Sequence, residues 1–223
     1  MTSATPSPDG WPTQAALLAA YKLNDALVDS AAAGNLGEMS NLLGQGADPK
    51  AELARALRLA AKNGHAECVA LLLPISDPKA LNSHALCLAS FNGHAECVDL
   101  LLPFSDSEAA MPVALSWAAE NGHAECVKRL LSRESPSPEN ALMANPRPLH
   151  LAIGAGRASV VALMLAHEPS LAELIDFELA HWAAADRGHH ELAALFLSIV
   201  ERSEISTSAK ASPVPMPAAL ARL

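Results

Sequence analysis

Histidine and cysteine stand three residues apart at three places in this chain: His65 and Cys68, His94 and Cys97, His123 and Cys126. On a helix that spacing sets an imidazole and a thiol on one face, where the pair is a candidate set of metal ligands. The same stretches read His-Ala-Glu, but the His-x-Glu of zinc-dependent deamination requires a following Pro-Cys-x-x-Cys, and the sequence has none. A Cys–His nucleophilic pair is the third chemistry these residue types allow, yet an enzyme needs one such site and here the pair recurs unchanged. Cys87 falls outside the recurrence and is the candidate reactive thiol. Gly154-Ala155-Gly156-Arg157 is a turn rather than the start of a dinucleotide-binding fingerprint.

The elements that must position these residues follow from the recurrence itself. Asn-Gly-His-Ala-Glu-Cys begins at Asn63, Asn92 and Asn121, 29 residues apart each time, and self-similarity at such a period marks an array of stacked supersecondary units. Alignment on the Gly gives six units, at Gly34, Gly64, Gly93, Gly122, Gly156 and Gly188. In the third unit Leu86, Ala89 and Ser90 share one helical face, and Asn92-Gly93 stops that helix. A second helix follows with Cys97, Val98, Leu101 and Leu102 on one side and Glu96 in its first turn. Pro103 closes it, and Ser or Asp of the Pro-x-Ser-Asp linker can cap the next helix. Two helices and two turns consume nearly all of 29 residues, so no sizeable strand fits. Each His then sits at a turn, where imidazole bonds open backbone groups. Each Cys sits on an apolar face, and units about 10 Å apart hold neighbouring thiols too far apart to share a zinc or form a disulfide.

Composition bounds the function classes. The chain has 223 residues, 51% of them hydrophobic, 17% charged and 4% aromatic, with a formal net charge of −9. An acidic chain whose only adjacent basic pair is Lys128-Arg129 lacks the clustered cations of a nucleic-acid surface. No apolar run reaches the roughly 18 residues of a membrane span, and Met1 to Pro6 has neither the basic start nor the apolar stretch of a secretory signal, so a cytoplasmic chain with no membrane partner is expected. Residues 1–11 and 202–223, rich in Ser, Pro and Thr, read as disordered tails around a repeat domain over 12–201.

The repeated residues resemble the ankyrin repeat. Arg147-Pro-Leu-His-Leu-Ala matches the start of its pattern, Ala118-Ala-Glu-Asn-Gly-His-Ala-Glu-Cys-Val the middle and Leu42-Leu-Gly-Gln-Gly-Ala-Asp-Pro the end, with the likeness spanning about residues 24 to 200. The resemblance implies an all-α solenoid of helix-turn-helix units. The central units are four residues shorter than the usual 33, which implies short or absent β-hairpin fingers, and an inserted stretch after Ser132 implies a longer loop. The sixth unit, slightly out of register around Trp182, reads as a terminal cap.

The resemblance also implies a non-catalytic, monomeric module without cofactor or metal that binds another protein on a concave helix and loop surface. The two positions just before each Gly mark that surface, Lys62 with Asn63, Phe91 with Asn92, and Glu120 with Asn121, and of each pair the first residue differs between copies. Phe91, aligned with Lys62 and Glu120, is expected to be exposed; Trp117, aligned with Leu59, Leu88 and Leu151, is expected to be packed. Three other functions fit the sequence: a metal or redox sensor using the His/Cys positions, a structural spacer or assembly subunit, and an exported bacterial effector acting on host proteins.

Overall fold

A computed structural model describes residues 12–132 and 145–210. They fall into two compact units, the first ending at Pro169 and the second starting at Ser170. Among the described residues every regular element is helical, as the 29-residue period requires. The expected N-terminal tail, most of the expected C-terminal tail and the loop after Ser132 lie outside the described residues.

The first unit is a series of helical hairpins: α1 (Gln14–Ala33) with α2 (Leu36–Gly44), α3 (Ala51–Asn63) with α4 (Ala66–Leu72), α5 (Ala80–Asn92) with α6 (Ala95–Leu101), α7 (Ser107–Asn121) with α8 (Ala124–Ser132), and α9 (Arg147–Gly154) with α10 (Ala158–His167). The first helices α1, α3, α5, α7 and α9 pack side by side in chain order, and the second helices form a parallel layer behind them.

Sequence explains both layers. First helices bury small residues that let backbones approach: Ala56, Ala60 and Ala61 around Leu57, Ala85 and Ala89 around Leu86, Ala114, Ala118 and Ala119 around Leu115. Second helices bury a repeated triplet, Cys68-Val69-Leu72, Cys97-Val98-Leu101 and Cys126-Val127-Leu130, and in α10 the corresponding residues are Val160, Val161 and Met164. Cysteine is thus an apolar residue of the core, interchangeable with valine in the pattern.

The hinge between paired helices depends on glycine. Gly64 and Gly93 take left-handed φ values of 79° and 81°, a conformation that costs residues with a Cβ. The chain then turns so that His65 N donates to Ala60 O (3.0 Å), His94 N to Ala89 O (2.9 Å) and His123 N to Ala118 O (2.9 Å). These bonds satisfy carbonyls that the helix end leaves open.

The linkers depart from a simple capping scheme. Asp106 does cap α7, its Oδ1 accepting from Ala109 N at 3.3 Å. Asp48 and Asp77, each followed by Pro, instead accept from the N–H two residues on, at Lys50 (2.9 Å) and Lys79 (3.0 Å). A left-handed turn then precedes the right-handed helix, over Glu52 to Ala54 in α3 and Leu81 to Ser83 in α5, with φ between 51° and 58°. Such residues cost about 1–2 kcal/mol each. Two contacts hold the turns: the Arg58 guanidinium donates to the carbonyls of Glu52 (3.0 Å) and Leu53 (3.2 Å), and Ser83 Oγ accepts from Asp106 N at 2.8 Å.

In the second unit a 3-10 segment (Pro169–Leu174) leads into α11 (Phe177–Asp186) and the longer α12 (His190–Lys210). Asp176 caps α11 through Leu179 N (3.1 Å), Phe177 meets Phe196 edge-on at 5.7 Å, and His189 N closes the hinge on Ala184 O at 2.8 Å. Helix α12 continues through residues 202–210, where the sequence suggests that a tail has begun.

Candidate functional site

The three repeated histidines do structural work across units. His65 Nε2 lies 3.0 Å from Ala32 O, His94 Nε2 2.9 Å from Lys62 O, and His123 Nε2 2.9 Å from Phe91 O. A carbonyl oxygen only accepts, so each Nε2 carries the proton and donates it to the preceding hairpin. Arg157, standing in the His position of the next unit, repeats the bond through Nε to Glu120 O at 3.0 Å. Each ring also covers the preceding hinge glycine: a Cβ on Gly64 would lie 2.5 Å from His94 Nδ1, and one on Gly93 2.6 Å from His123 Nδ1. Glycine there is required twice, by φ and by the neighbour's imidazole.

That ladder leaves little of the His/Cys pairs for chemistry. Cys68, Cys97 and Cys126 are wholly buried, while the imidazoles reach toward the previous unit. Burial, with the neighbouring Glu96 and Glu125 adding to it, pushes the Cys97 and Cys126 thiols up to about 11. Cys87 is not the reactive thiol that its irregular position suggests: it is buried between α5 and α7, its Sγ 3.9 Å from Ala110 O, and burial raises it to about 11. Among the described residues no group of three or more His, Cys, Asp or Glu is arranged to hold a metal ion.

The positions where the copies disagree come together on one face. Lys62, Phe91 and Glu120 are exposed at the C-terminal ends of α3, α5 and α7, and their carbonyls are the acceptors of the ladder just described. Their main chain is fixed by the next unit while their side chains are free to vary. The adjacent asparagines belong to the frame: Asn63 Nδ2 donates to Ala32 O (2.7 Å), Asn92 Nδ2 to Leu88 O (2.8 Å) and Asn121 Nδ2 to Trp117 O (2.9 Å).

At the centre of this face is Trp117, which the sequence marks as a packed residue. Trp117 is only half-buried, and its ring meets Phe91 edge-on at 5.6 Å and His84 at 6.2 Å. Phe91 remains 43% exposed. Burial, then the Arg58 charge, holds the His84 imidazole below its usual range, so it is a neutral aromatic neighbour at pH 7. Beside the cluster a shallow cleft of 140 Å³ opens between α7 and α9, lined by Val113, Trp117, Glu120, Arg147 and Leu151 among others. The signal for Trp117 is present in the sequence: it shares a stripe with Val113 and Glu120, as Leu88 does with His84 and Phe91.

A family model described as "Ankyrin repeats (3 copies)" matches residues 27–111 and again residues 115–209. The chain belongs to the ankyrin-repeat family. No curated protein matches it closely enough to count as a relative. Ankyrin repeats are generally protein–protein interaction modules and typically non-catalytic, and this ankyrin array is all-helical, without strands among its described residues. None of its described helices is long and apolar enough to cross a membrane.

Proposed function

We propose that this chain is a non-catalytic binding module that takes a partner protein on the open face of α3, α5, α7 and α9. Lys62, Phe91 and Glu120 are contact residues, Trp117 and His84 form the floor beneath them, Asn63 ties its helix end to the preceding unit, and Asn92 and Asn121 brace the ends of their own helices. The observation that carries this reading is the exposed Phe91 ring backed edge-on by Trp117, on a main chain locked to the following unit by His123. Rigid aromatic anchors on a preorganised frame supply much of the affinity of protein interfaces.

The experiment is affinity capture with the full chain and with a Phe91→Ala/Trp117→Ala variant whose helical signal is unchanged, followed by titration of the captured protein against both. A partner whose affinity falls at least tenfold in the variant supports the reading. A folded variant that binds every captured partner as tightly as the parent refutes it.

A further inference from the structure

The open face carries a charge pattern that specifies its partner further, given that this face is the binding surface. Its middle row is apolar from α3 to α9, with Leu59, Leu88, Trp117 and Leu151 each half-buried, while the exposed Asp29 holds the same place on α1, outside this face. The flanks are cationic. Lys62 on α3 and Arg147 on α9 are exposed, and among the described residues neither forms an ion pair. Arg55, by contrast, is met by Glu52 at 3.0 Å and Asp25 at 3.9 Å, and Arg58 is spent on backbone carbonyls. In a chain of net charge −9, the two unmatched cations therefore bracket the aromatic centre.

Spacing converts this into a recognition pattern. Packed helices lie about 8–10 Å apart, and an extended segment advances ~3.3 Å per residue, so one helix-to-helix step corresponds to about three residues. From Lys62 on α3 to Arg147 on α9 is three such steps, and the anchor between α5 and α7 lies midway, so we propose that the partner presents an extended segment with an apolar residue about four or five residues from an acidic one on either side. Its central apolar side chain seats in the angle between Phe91 and Trp117, one carboxylate faces Lys62, and the other faces Arg147. Glu120, at the rim of the same cleft, accepts a main-chain N–H of the segment and disfavours a third carboxylate beside the anchor.

Selection of a random twelve-residue peptide library displayed on phage against the full chain tests this directly. Enrichment of peptides with Asp or Glu about four or five residues before and after a Trp, Phe, Leu or Met is expected. A Lys62→Glu/Arg147→Glu variant should select Lys or Arg at the flanks and bind the parent's peptides at least tenfold more weakly. Absence of enrichment, or flanking preferences unchanged in the variant, overturns the proposal. If peptides lose binding in Trp117→Ala but ignore the charge reversal, the acidic pattern falls while the binding face stands; if Trp117→Ala also has no effect, both fall.

Discussion

At the scale of single residues, the ladder makes opposite demands on glycine and histidine that a mutant cycle can separate. Gly64→Ala meets two penalties, a left-handed φ and a Cβ 2.5 Å from His94 Nδ1, so we expect a loss above ~1 kcal/mol in urea unfolding. His94→Ala removes one hydrogen bond to Lys62 O and should cost about 1 kcal/mol. In the double variant the clash is gone while the φ strain and the lost hydrogen bond remain, so the total should be smaller than the sum of the single losses; simple additivity would show that the ring does not press on the hinge. A second residue prediction concerns Ser90, whose Oγ is buried without a hydrogen-bond partner. Ala61 and Ala119 occupy its place in the neighbouring units and are equally buried, so Ser90→Ala should stabilise the protein by about 1 kcal/mol or leave it unchanged, read as the urea midpoint. The hinge glycines and the apolar role of the cysteines were legible in the sequence because each is fixed by helix periodicity within one unit. The acceptor of each imidazole was not, because it lies in the preceding unit, some 32 residues away in the chain.

At the scale of elements, the first helices do two jobs on two faces, and this decides which substitutions touch stability. The buried face of α5 and α7 is made of Ala and Leu with Cys87 and a few serines and positions the backbone; the open face holds Phe91, Trp117 and His84. Phe91→Ala removes an exposed ring and one edge-on aromatic contact, so its cost to folding should be about 0.5–1.5 kcal/mol. Trp117→Ala, which also deletes half-buried surface against the α7–α9 cleft, should cost more, about 2–3 kcal/mol by area burial; equal losses from the two would mean that Trp117 is not the floor of the cluster. Periodicity exposed Phe91, since its aligned neighbours are Lys62 and Glu120. It placed Trp117 in the row of Leu59, Leu88 and Leu151, which are half-buried as it is; alignment reports the row and not the neighbours, so the edge-on contacts of its ring with Phe91 and His84 were not legible. The left-handed turns that open α3 and α5 were also invisible, since Asp-Pro-Lys reads equally well as a helix start.

At the scale of the whole molecule, the repeated core gives stability a dependence on alkaline pH. Cys87, Cys97 and Cys126 are buried, with thiols pushed up to about 11 by that burial, whereas in the unfolded chain a thiol ionises near ~8.5. Below that value both states hold the proton and the thiols leave stability unaffected by pH. Between it and about 11 the unfolded chain has released protons that the folded chain keeps, so folding stability falls as pH rises, by up to about 1.4 kcal/mol per pH unit for each such thiol. Urea midpoints measured from pH 7 to pH 10 should therefore decline, and the decline should shrink in Cys97→Val and again in Cys97→Val/Cys126→Val. Valine is the natural test residue because Val160 already occupies this place in α10, so the packing is conserved while the titrating group is removed. In the same pH range the parent's thiols should react with an aromatic disulfide reagent only as fast as the protein opens, and all at once in denaturant, since the four cysteines are free and buried. A rapid native reaction of even one, or a pH dependence untouched by the valine variants, would show that the cysteines are more than core residues.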